Sequence, residues 1–420
     1  MGVSHVGRLI AFQETTFAIA QGVVSDRDQR VIRTPDLSGL VSGRAPDQTH
    51  YDRIHEVFQR VDLSQFGSKV SVPVYLTGLG AAIASGGGVT YPANDVSVLL
   101  RSLMGGALTP AAGGSVLTPG TTSGFTLQAG QGPSFTKGGA CIVSATSGYH
   151  MREIAQVSGD FLYLKQQLSA TTTTGANVYN CCTFYFDEDN WGGDASTLAL
   201  RFAGLLTNDQ WIMRGCAGDF SISSEIDGLL AMTMELQVTQ WAKSAATSFP
   251  GAGFLGGVPL ACKGGHLLWH VPGTTTLNIL PVDRFNFKPG VKFAPDRALD
   301  GIETVKRYHM LRADTTAHLE INGYQNFDEF WTHTDTQSTT RSAMLVLGSS
   351  PVISSVGTGM IGLSMPTAQY VARPKRMSNG ELVRVGIDLE AREDTAVTSP
   401  TTGTSATADI HRSKFRVHVG

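Results

Sequence analysis

The sequence predicts a mainly β protein with two tandem β-sandwich or barrel domains, each with one short flanking helix. Charged residues make up only 16% of the chain and glycine occurs 48 times, a composition typical of strands joined by many turns. Residues 209–241 and 359–392 each alternate apolar and polar side chains beside a turn, as half-buried β-hairpins do. Short strands within residues 107–187 have the pattern of a small β-barrel inserted in the first domain.

The first predicted hairpin turns at Asp227 and Gly228, a dipeptide that favours tight turns. Residues 219–224 are the predicted partner strand. After the turn, the buried side carries Leu230, Met232, Met234, Leu236 and Val238, and the other side carries Leu229, Ala231, Thr233, Glu235, Gln237 and Thr239.

The second predicted hairpin turns at Asn379 and Gly380. Its buried side begins one residue later after the turn than in the first hairpin, so a bulge or a longer loop must absorb this offset if the two units are related. The buried side carries Val383, Val385, Ile387 and Leu389, and the polar side carries Arg384, Gly386, Asp388 and Glu390.

A strand and a short helix precede the first hairpin. Residues 70–77 alternate, and Pro73 places this strand at a sheet edge or a bulge because proline donates no ladder hydrogen bond. Asn94 or Asp95 is the predicted cap of a helix that runs through Met104. The apolar stripe of this helix and the glycine that ends it are Val96, Leu99, Leu100, Leu103 and Gly105.

The same order recurs in the second half of the chain. Residues 315–321 form a predicted strand, and Asn326 caps a short helix after it. Internal duplication is the simplest explanation. The predicted domains are residues 1–250 with an inserted β-module at about 107–187, a connector over 251–280, and residues 281–420 with a C-terminal arm.

Composition and motifs argue against an enzyme. The formal net charge of −3 disfavours a protein that binds nucleic acid by neutralising phosphates. Residues 251–256 match GxGxxG, but Pro250 and Pro259 flank them, so no helix follows to hold a dinucleotide. The five cysteines form no CxxC pair and are expected to be reduced, buried thiols. We expect no catalytic residue, no cofactor and no metal.

Three weaker patterns have simpler structural explanations. The acidic stretch that begins at Asp187 lacks the later ligands of a calcium loop and is expected to be a surface turn. His266 and His270 lack the glutamate of a zinc-binding helix. Glu225 and Asp227 lie at a predicted hairpin turn, where carboxylates are usually solvated.

Two long motifs resemble a known family. Residues 207–241, TNDQWIMRGCAGDFSISSEIDGLLAMTMELQVTQW, resemble the C-terminal strands of phage tail tube proteins. Residues 357–394, GTGMIGLSMPTAQYVARPKRMSNGELVRVGIDLEARED, resemble the same element. VSVPVYLTGLG followed by YPANDVSVLLRSLMGG is similar to the family's strand and leucine-rich helix. The chain as a whole resembles a siphophage-like major tail tube protein with two tandem tube-type domains.

The resemblance implies a structural virion protein that stacks in rings to form the conduit for DNA ejection. Two domains per chain imply trimeric, pseudo-hexameric rings, with hexamers as the alternative. The implied partners are further copies of the chain, a tape measure protein, and tail terminator or distal-tail proteins, while DNA passes without specific binding. The implied location is the virion tail, assembled in the host cytoplasm, with no membrane partner.

A lumen that lets DNA slide is expected to be neutral to acidic, because such a surface repels phosphates. The predicted lumen-facing residues are Glu235, Gln237, Thr239, Asp388 and Glu390. Residues 414–419 are predicted to form a last strand, and the sequence leaves open whether residues 393–420 are ordered before assembly.

Two other hypotheses stay open. One is another virion component, such as a capsid decoration or distal-tail protein. The other is a carbohydrate-binding β-sandwich protein that uses the inserted barrel as its binding module. No apolar run is long enough to span a bilayer.

Overall fold

The chain folds mainly into β-strands in a computed structural model. The structure describes residues 7–13, 30–32, 68–78, 96–109, 112–187, 190–192, 198–204, 209–225, 228–245, 259–262, 265–270, 277–296, 307–322, 340–350, 359–372, 375–379, 382–393, 410 and 412–420. The predicted helix after Asn326 and the GxGxxG match lie outside these residues.

The elements of the first half are β1 (Gly7–Gln13), β2 (Arg30–Ile32), β3 (Ser68–Tyr75), α1 (Ser97–Met104), β4 (Gly105–Leu108), β5 (Gly114–Thr121), β6 (Gly124–Leu127), β7 (Ala140–Ala145), β8 (Gly148–Ser158), β9 (Phe161–Leu164), β10 (Asn177–Asn180), β11 (Cys182–Phe186), β12 (Leu198–Gly204), β13 (Asp209–Glu225), β14 (Ala231–Val238) and β15 (Gln240–Ala245). Those after residue 250 are β16 (His266–His270), β17 (Leu277–Lys288), β18 (Val291–Asp296), β19 (Arg307–Ala313), β20 (Thr316–Asn322), β21 (Arg341–Ser350), β22 (Gly359–Tyr370), β23 (Lys375–Asn379), β24 (Leu382–Ala391) and β25 (Arg416–Val419).

A seven-stranded antiparallel sheet runs through both halves of the chain. Its order is β3–β14–β13–β17–β20–β24–β23. One row of directly paired residues crosses five of these strands, and every member of the row is buried: Met232, Ile222, Phe287, Ala317 and Leu389. The period-two alternation of the sequence is therefore in register across the sheet, with one face turned to the core.

Both predicted hairpins are present, and their connections differ in length. Asn379 pairs with Leu382, which leaves two residues for the second connection. In the first hairpin Ser223 pairs with Ala231, and the N–H of Leu230 donates to the carbonyl of Leu260. Asp227 of the predicted tight turn lies outside the described residues. The longer first connection accounts for the one-residue offset between the two hairpins.

A second run of paired strands joins the two ends of the chain. Its order is β4–β11–β25–β22–β21–β16–β17. The last strand, β25, therefore lies between a strand of the first half and a strand of the second half, and all four of its residues are buried. The predicted last strand is confirmed, and its partners β11 and β22 belong to the same chain.

One hydrophobic cluster extends over both halves, and its members range from Ala11 on β1 to Val419 on β25. In the described residues, the predicted domains thus share a core instead of each enclosing its own. The domain boundary near residue 250 stays a prediction.

The helix α1 is buried on almost every side. Seven of its eight residues are buried, and Arg101 alone among them is half-buried. The predicted cap at Asn94 or Asp95 is wrong, because Val96 occupies the N-cap position and no side chain caps it. Gly105 ends the helix as predicted, with a φ of +83°.

The strands between Gly114 and Asn180 close into a six-stranded barrel in the order β10–β5–β6–β9–β8–β7. The chain enters and leaves the barrel through β4 and β11, which pair with each other. The predicted turn glycines Gly148, Gly159 and Gly175 all have positive φ. The predicted small β-barrel within residues 107–187 is thus confirmed.

The barrel packs against strands of the second half of the chain. Gln166 donates from Nε2 to the Ser342 hydroxyl over 3.0 Å. Arg416 of β25 forms a fully buried ion pair with Glu153 of β8. An apolar cluster covers the rest of this contact: Ala140, Ile142, Met151, Tyr179, Cys181, Leu268, Met344, Val346 and Met360.

Candidate assembly surface

The polar face of the seven-stranded sheet is the candidate functional surface. One row of paired residues on this face crosses five strands: Ala231, Ser223, Asn286, His318 and Asp388. On neighbouring rows Glu235 lies opposite Asp219, and Glu390 lies opposite Thr316. The structure therefore brings the candidate residues of the two hairpins onto one face of one sheet, a connection made by β17 that the sequence did not reveal.

Four of the five predicted lumen-facing residues lie on this face. Glu235 is exposed, and Gln237, Asp388 and Glu390 are half-buried. Thr239 is not on this face, because it is buried and its hydroxyl donates to the carbonyl of Gly215 over 3.0 Å. The alternation stops at Val238, where β14 ends.

Arginine and histidine side chains compensate the acidic residues of the β24 region. Arg384 lies 3.1 Å from a carboxylate oxygen of Asp283 and 3.4 Å from one of Glu320. His318 places Nδ1 2.7 Å from a carboxylate oxygen of Asp388. The face is therefore mixed in charge, where the sequence suggested a neutral to acidic one.

A groove of about 440 Å³ lies at the β3 end of the face. Burial raises the pKa of the Asp219 carboxyl group, and the charge of Glu235 raises it further, while backbone N–H donors and Lys288 oppose the shift. The groove is lined by Lys69, Val70, Ser71, Asp219, Glu235, Leu236, Gln237, Val291 and Phe293. In the part of the chain that the structure describes, no group of histidine, cysteine, aspartate or glutamate is arranged to hold a metal ion.

In the described residues, β3 and β23 are the terminal strands of this run of seven. β3 pairs there with β14 and β23 pairs with β24, while β24 also pairs with β22 next to β23. Edge strands in general are templates for pairing with another chain. The polar face thus has β3 at one border and β23 at the other.

The two hairpins lie in the same order on the two sides of β17. The sheet runs β3–β14–β13 on one side of β17 and β20–β24–β23 on the other, and every neighbouring pair is antiparallel. On each side, the middle strand is the alternating strand of a predicted hairpin, and its hairpin partner follows it in the sheet. Contacts between unlike surfaces are heterologous, and they generate rings or filaments when copies are added.

The other predicted motifs take structural roles. Asp187, the first residue of the expected surface turn, is 3% exposed and accepts hydrogen bonds from the backbone and side-chain nitrogens of Asn190, which is itself exposed. All five cysteines are free and buried, as predicted. Burial raises the pKa of the Cys141 thiol to about 12, which makes it unreactive at neutral pH.

Comparison of the chain with models of known protein families and with curated protein sequences finds no match. No helix in the described ranges has the length and apolar character needed to cross a membrane. The geometry of the sheet is therefore the main support for a functional proposal.

Proposed function

We propose that the chain is a structural virion protein, the major tail tube subunit of a siphophage-like phage. The observation that carries this proposal is that both hairpins lie in one sheet, in the same order on either side of β17, with β3 and β23 as its terminal described strands. Copies of the chain join edge to edge, and the joined sheets surround a bore through which DNA is ejected. The rings stack into a tube.

The size of the bore follows from this strand order. Two tube-type units per chain and three chains per ring give six units of four strands. A barrel of about 24 strands, spaced about 4.8 Å apart and tilted by roughly 35–45°, has a diameter of about 45–50 Å. Within one chain, β17 lies between β13 and β20. The corresponding place between two copies lies between β23 of one copy and β3 of the next. The assembly therefore requires one further strand at that place. A hexameric ring is the alternative.

The polar face lines the bore in this arrangement. Glu235, Gln237, Asp388 and Glu390 are among its residues, and Arg384 pairs with the carboxylates of Asp283 and Glu320 in the same sheet. A surface without a large excess of positive charge gives little phosphate-dependent affinity, so DNA slides without specific binding. The inserted barrel contacts β16, β21 and β22 through the other side of the molecule. Tape measure, tail terminator and distal-tail proteins are the proposed partners inside and at the ends of the tube.

Proline substitutions in the edge strand β23 test the proposal. Arg376 and Met377 pair with Val385 and Arg384 of β24, and adjacent residues of a strand direct their N–H groups to opposite sides. Proline at the residue whose N–H points away from β24 removes only a hydrogen-bond donor at the sheet edge. Proline at the residue whose N–H points towards β24 breaks the hydrogen-bond ladder between the two strands. Of R376P and M377P, the variant that keeps the wild-type Tm is expected to remain monomeric.

Sedimentation velocity and electron microscopy of the full-length protein provide the measurement. Wild-type protein is expected to form rings of three copies and then tubes as its concentration rises. Wild-type protein that stays monomeric at every concentration contradicts the proposal, as do rings that form equally well from both proline variants.

A further inference from the structure

Two aromatic rings lie side by side on the outside of the small barrel. The ring centroids of Phe161 and Tyr163 are 4.5 Å apart with an interplanar angle of 50°. Leu162 between them is fully buried inside the barrel, so the alternation of β9 puts both rings on the outer surface. Tyr163 is 44% exposed. The barrel core does not require these rings, and exposed aromatic surface of this kind commonly marks a binding site.

A glycine provides the space for one of the rings. Gly124 of β6 pairs with Tyr163, and Thr126 pairs with Phe161. A Cβ atom at Gly124 would lie 2.7 Å from Cε1 of Phe161. The missing side chain therefore lets the phenylalanine ring lie against the backbone of β6. The two rings form a platform on the sheet surface, which we call the aromatic platform.

The cross-strand neighbours of the aromatic platform are polar but uncharged. Across the other ladder, Gln156 pairs with Tyr163 and Ser158 pairs with Phe161. Thr118 of β5 pairs with Thr126 and extends this set. Hydroxyl and amide groups of these types both donate and accept hydrogen bonds. The cross-strand neighbours of the two rings therefore offer hydrogen bonds without a formal charge.

The aromatic platform is separate from the contact between the barrel and the rest of the chain. That contact uses residues of β7, β8 and β10, such as Ile142, Met151 and Tyr179. The platform is centred on β6 and β9, whose ladder contains Gly124 and Phe161. The attachment of the barrel thus leaves the platform facing outward.

We propose that the aromatic platform binds a neutral saccharide. An apolar face of a sugar ring stacks on Phe161 and Tyr163, and sugar hydroxyl groups bond to the neighbouring threonine, serine and glutamine side chains. A nucleic acid or a phosphorylated ligand needs cations beside the stacked group, and the cross-strand neighbours supply none. A site that combines apolar surface with a few hydrogen-bonding groups fits a small polar ligand of this type. This activity goes beyond tube assembly and does not depend on it.

A glycan array that holds neutral and anionic oligosaccharides, probed with the full-length protein, identifies the ligand. Titration calorimetry with the best neutral oligosaccharide then measures its Kd. Removal of either ring, in F161A or Y163A, is expected to raise the Kd roughly fivefold to tenfold, because each ring supplies stacking of modest strength. Y163F keeps the ring and is expected to bind nearly as well as the wild type. L311A removes another exposed side chain, on β19, and is the matched control.

Each outcome decides the proposal. Loss of binding in F161A and Y163A, with retention in Y163F and L311A, supports it. Failure of the wild type to bind any neutral oligosaccharide overturns it, and so does binding that survives both alanine substitutions. Selective binding of anionic glycans also overturns it, as does a finding that Y163A impairs only ring formation, since a second copy of the chain is then the partner. Ring formation by the wild type is measured independently, so failure of saccharide binding leaves the tail tube proposal standing.

Discussion

At the scale of single residues, His418 lies where the two halves of the chain meet. Its Nδ1 is 2.9 Å from the hydroxyl oxygen of Thr183, and its Nε2 is 2.8 Å from that of Ser364. Burial, followed by the charge of Arg416, lowers the pKa of His418 to about 3. The folded protein therefore holds a neutral imidazole between two hydroxyl groups, whereas the unfolded chain binds a proton near the ordinary histidine pKa.

This difference predicts that acid weakens the fold through His418. Its stabilising effect is fully present above the unfolded pKa near 6.5, and declines as the pH falls from there towards about 3. Between pH 7.5 and pH 5.0 the free energy of unfolding is expected to fall by about 2 kcal/mol through this residue alone. H418Q keeps an amide that can bond to Ser364 but has no titration, so urea unfolding at the two pH values should show a smaller decrease for this variant. H309Q alters an exposed histidine and is the control. Equal pH dependence in wild type and H418Q would contradict the prediction.

The buried pair of Arg416 and Glu153 shows what local sequence patterns cannot reveal. These residues are 263 positions apart, and each side chain is 1% exposed. Arg416 lies on a short apolar strand, and Glu153 lies on a strand of the small barrel. Neither position has a sequence signal for a partner, because the pairing depends on how the barrel docks. Burial of such a pair is expensive unless both charges remain in contact.

At the scale of elements, the end of α1 depends on a glycine for two separate reasons. Gly105 has a φ of +83°, and a Cβ atom there would lie 2.7 Å from the carbonyl oxygen of Asp187. Gly175 has a φ of +80°, but a Cβ there would meet no atom within 4 Å. Both positions therefore need a residue that tolerates positive φ, but only Gly105 also lacks space for a Cβ atom.

Alanine substitution at the two glycines is expected to separate these effects. G175A should lower the free energy of unfolding by about 1–2 kcal/mol, the cost of left-handed backbone for a residue with a Cβ. G105A should cost more, by about 1–3 kcal/mol, because a well-packed site must also shift to relieve a clash. Chemical denaturation of the two variants measures both values. A cost for G105A equal to that for G175A would show that the contact with Asp187 relaxes freely.

Alternation predicted the strands well because it is a local property. The strands predicted within residues 70–77, 315–321 and 383–389 are present as Ser68–Tyr75, Thr316–Asn322 and Leu382–Ala391, and their described apolar side chains lie on the buried face. Alternation does not predict how deeply a side chain is buried. Glu320 lies on the polar side of its strand, yet it is only 6% exposed because arginines cover it. It also does not show where a strand ends. Thr239 therefore turned out to be buried, opposite Gly215, whose φ of +57° bends β13.

The candidate surface needed information about pairing that no local pattern contains. Glu235 and Asp388 were predicted separately, one on each hairpin. Their common face exists because β17 pairs with β13 on one side and with β20 on the other. The sequence of β17 has a register shift beside Val282 and little simple alternation near its start. Long-range pairing of this type is decided by the tertiary fold.

At the scale of the whole molecule, the small barrel connects the two halves of the chain. It belongs to the first half by sequence, yet its apolar contact is with Leu268, Met344, Val346 and Met360 of the second half. β25 adds a second connection, because it pairs with both β11 and β22. If the barrel were only tethered to the chain, it would not cover the apolar side chains of these strands. The barrel therefore stabilises the relative arrangement of the two halves.

Deletion of the barrel tests this stabilising role. Because Leu108 pairs with Thr183 across the neck, residues 109–182 can be replaced by Asn-Gly, which favours a tight turn between antiparallel strands. The deletion exposes the apolar side chains of β16, β21 and β22 and leaves Arg416 without Glu153. Loss of one partner of a buried ion pair alone costs about 3–5 kcal/mol, and the exposed apolar patch favours aggregation. Light scattering and urea unfolding should therefore show an aggregating protein of lower stability.

A second deletion variant that also carries M344T and V346T should recover solubility but not stability. If the simple deletion instead scatters no more light than the wild type and keeps its unfolding midpoint, the barrel is only a tethered insertion, and the two halves hold their arrangement through β25 and the shared core alone.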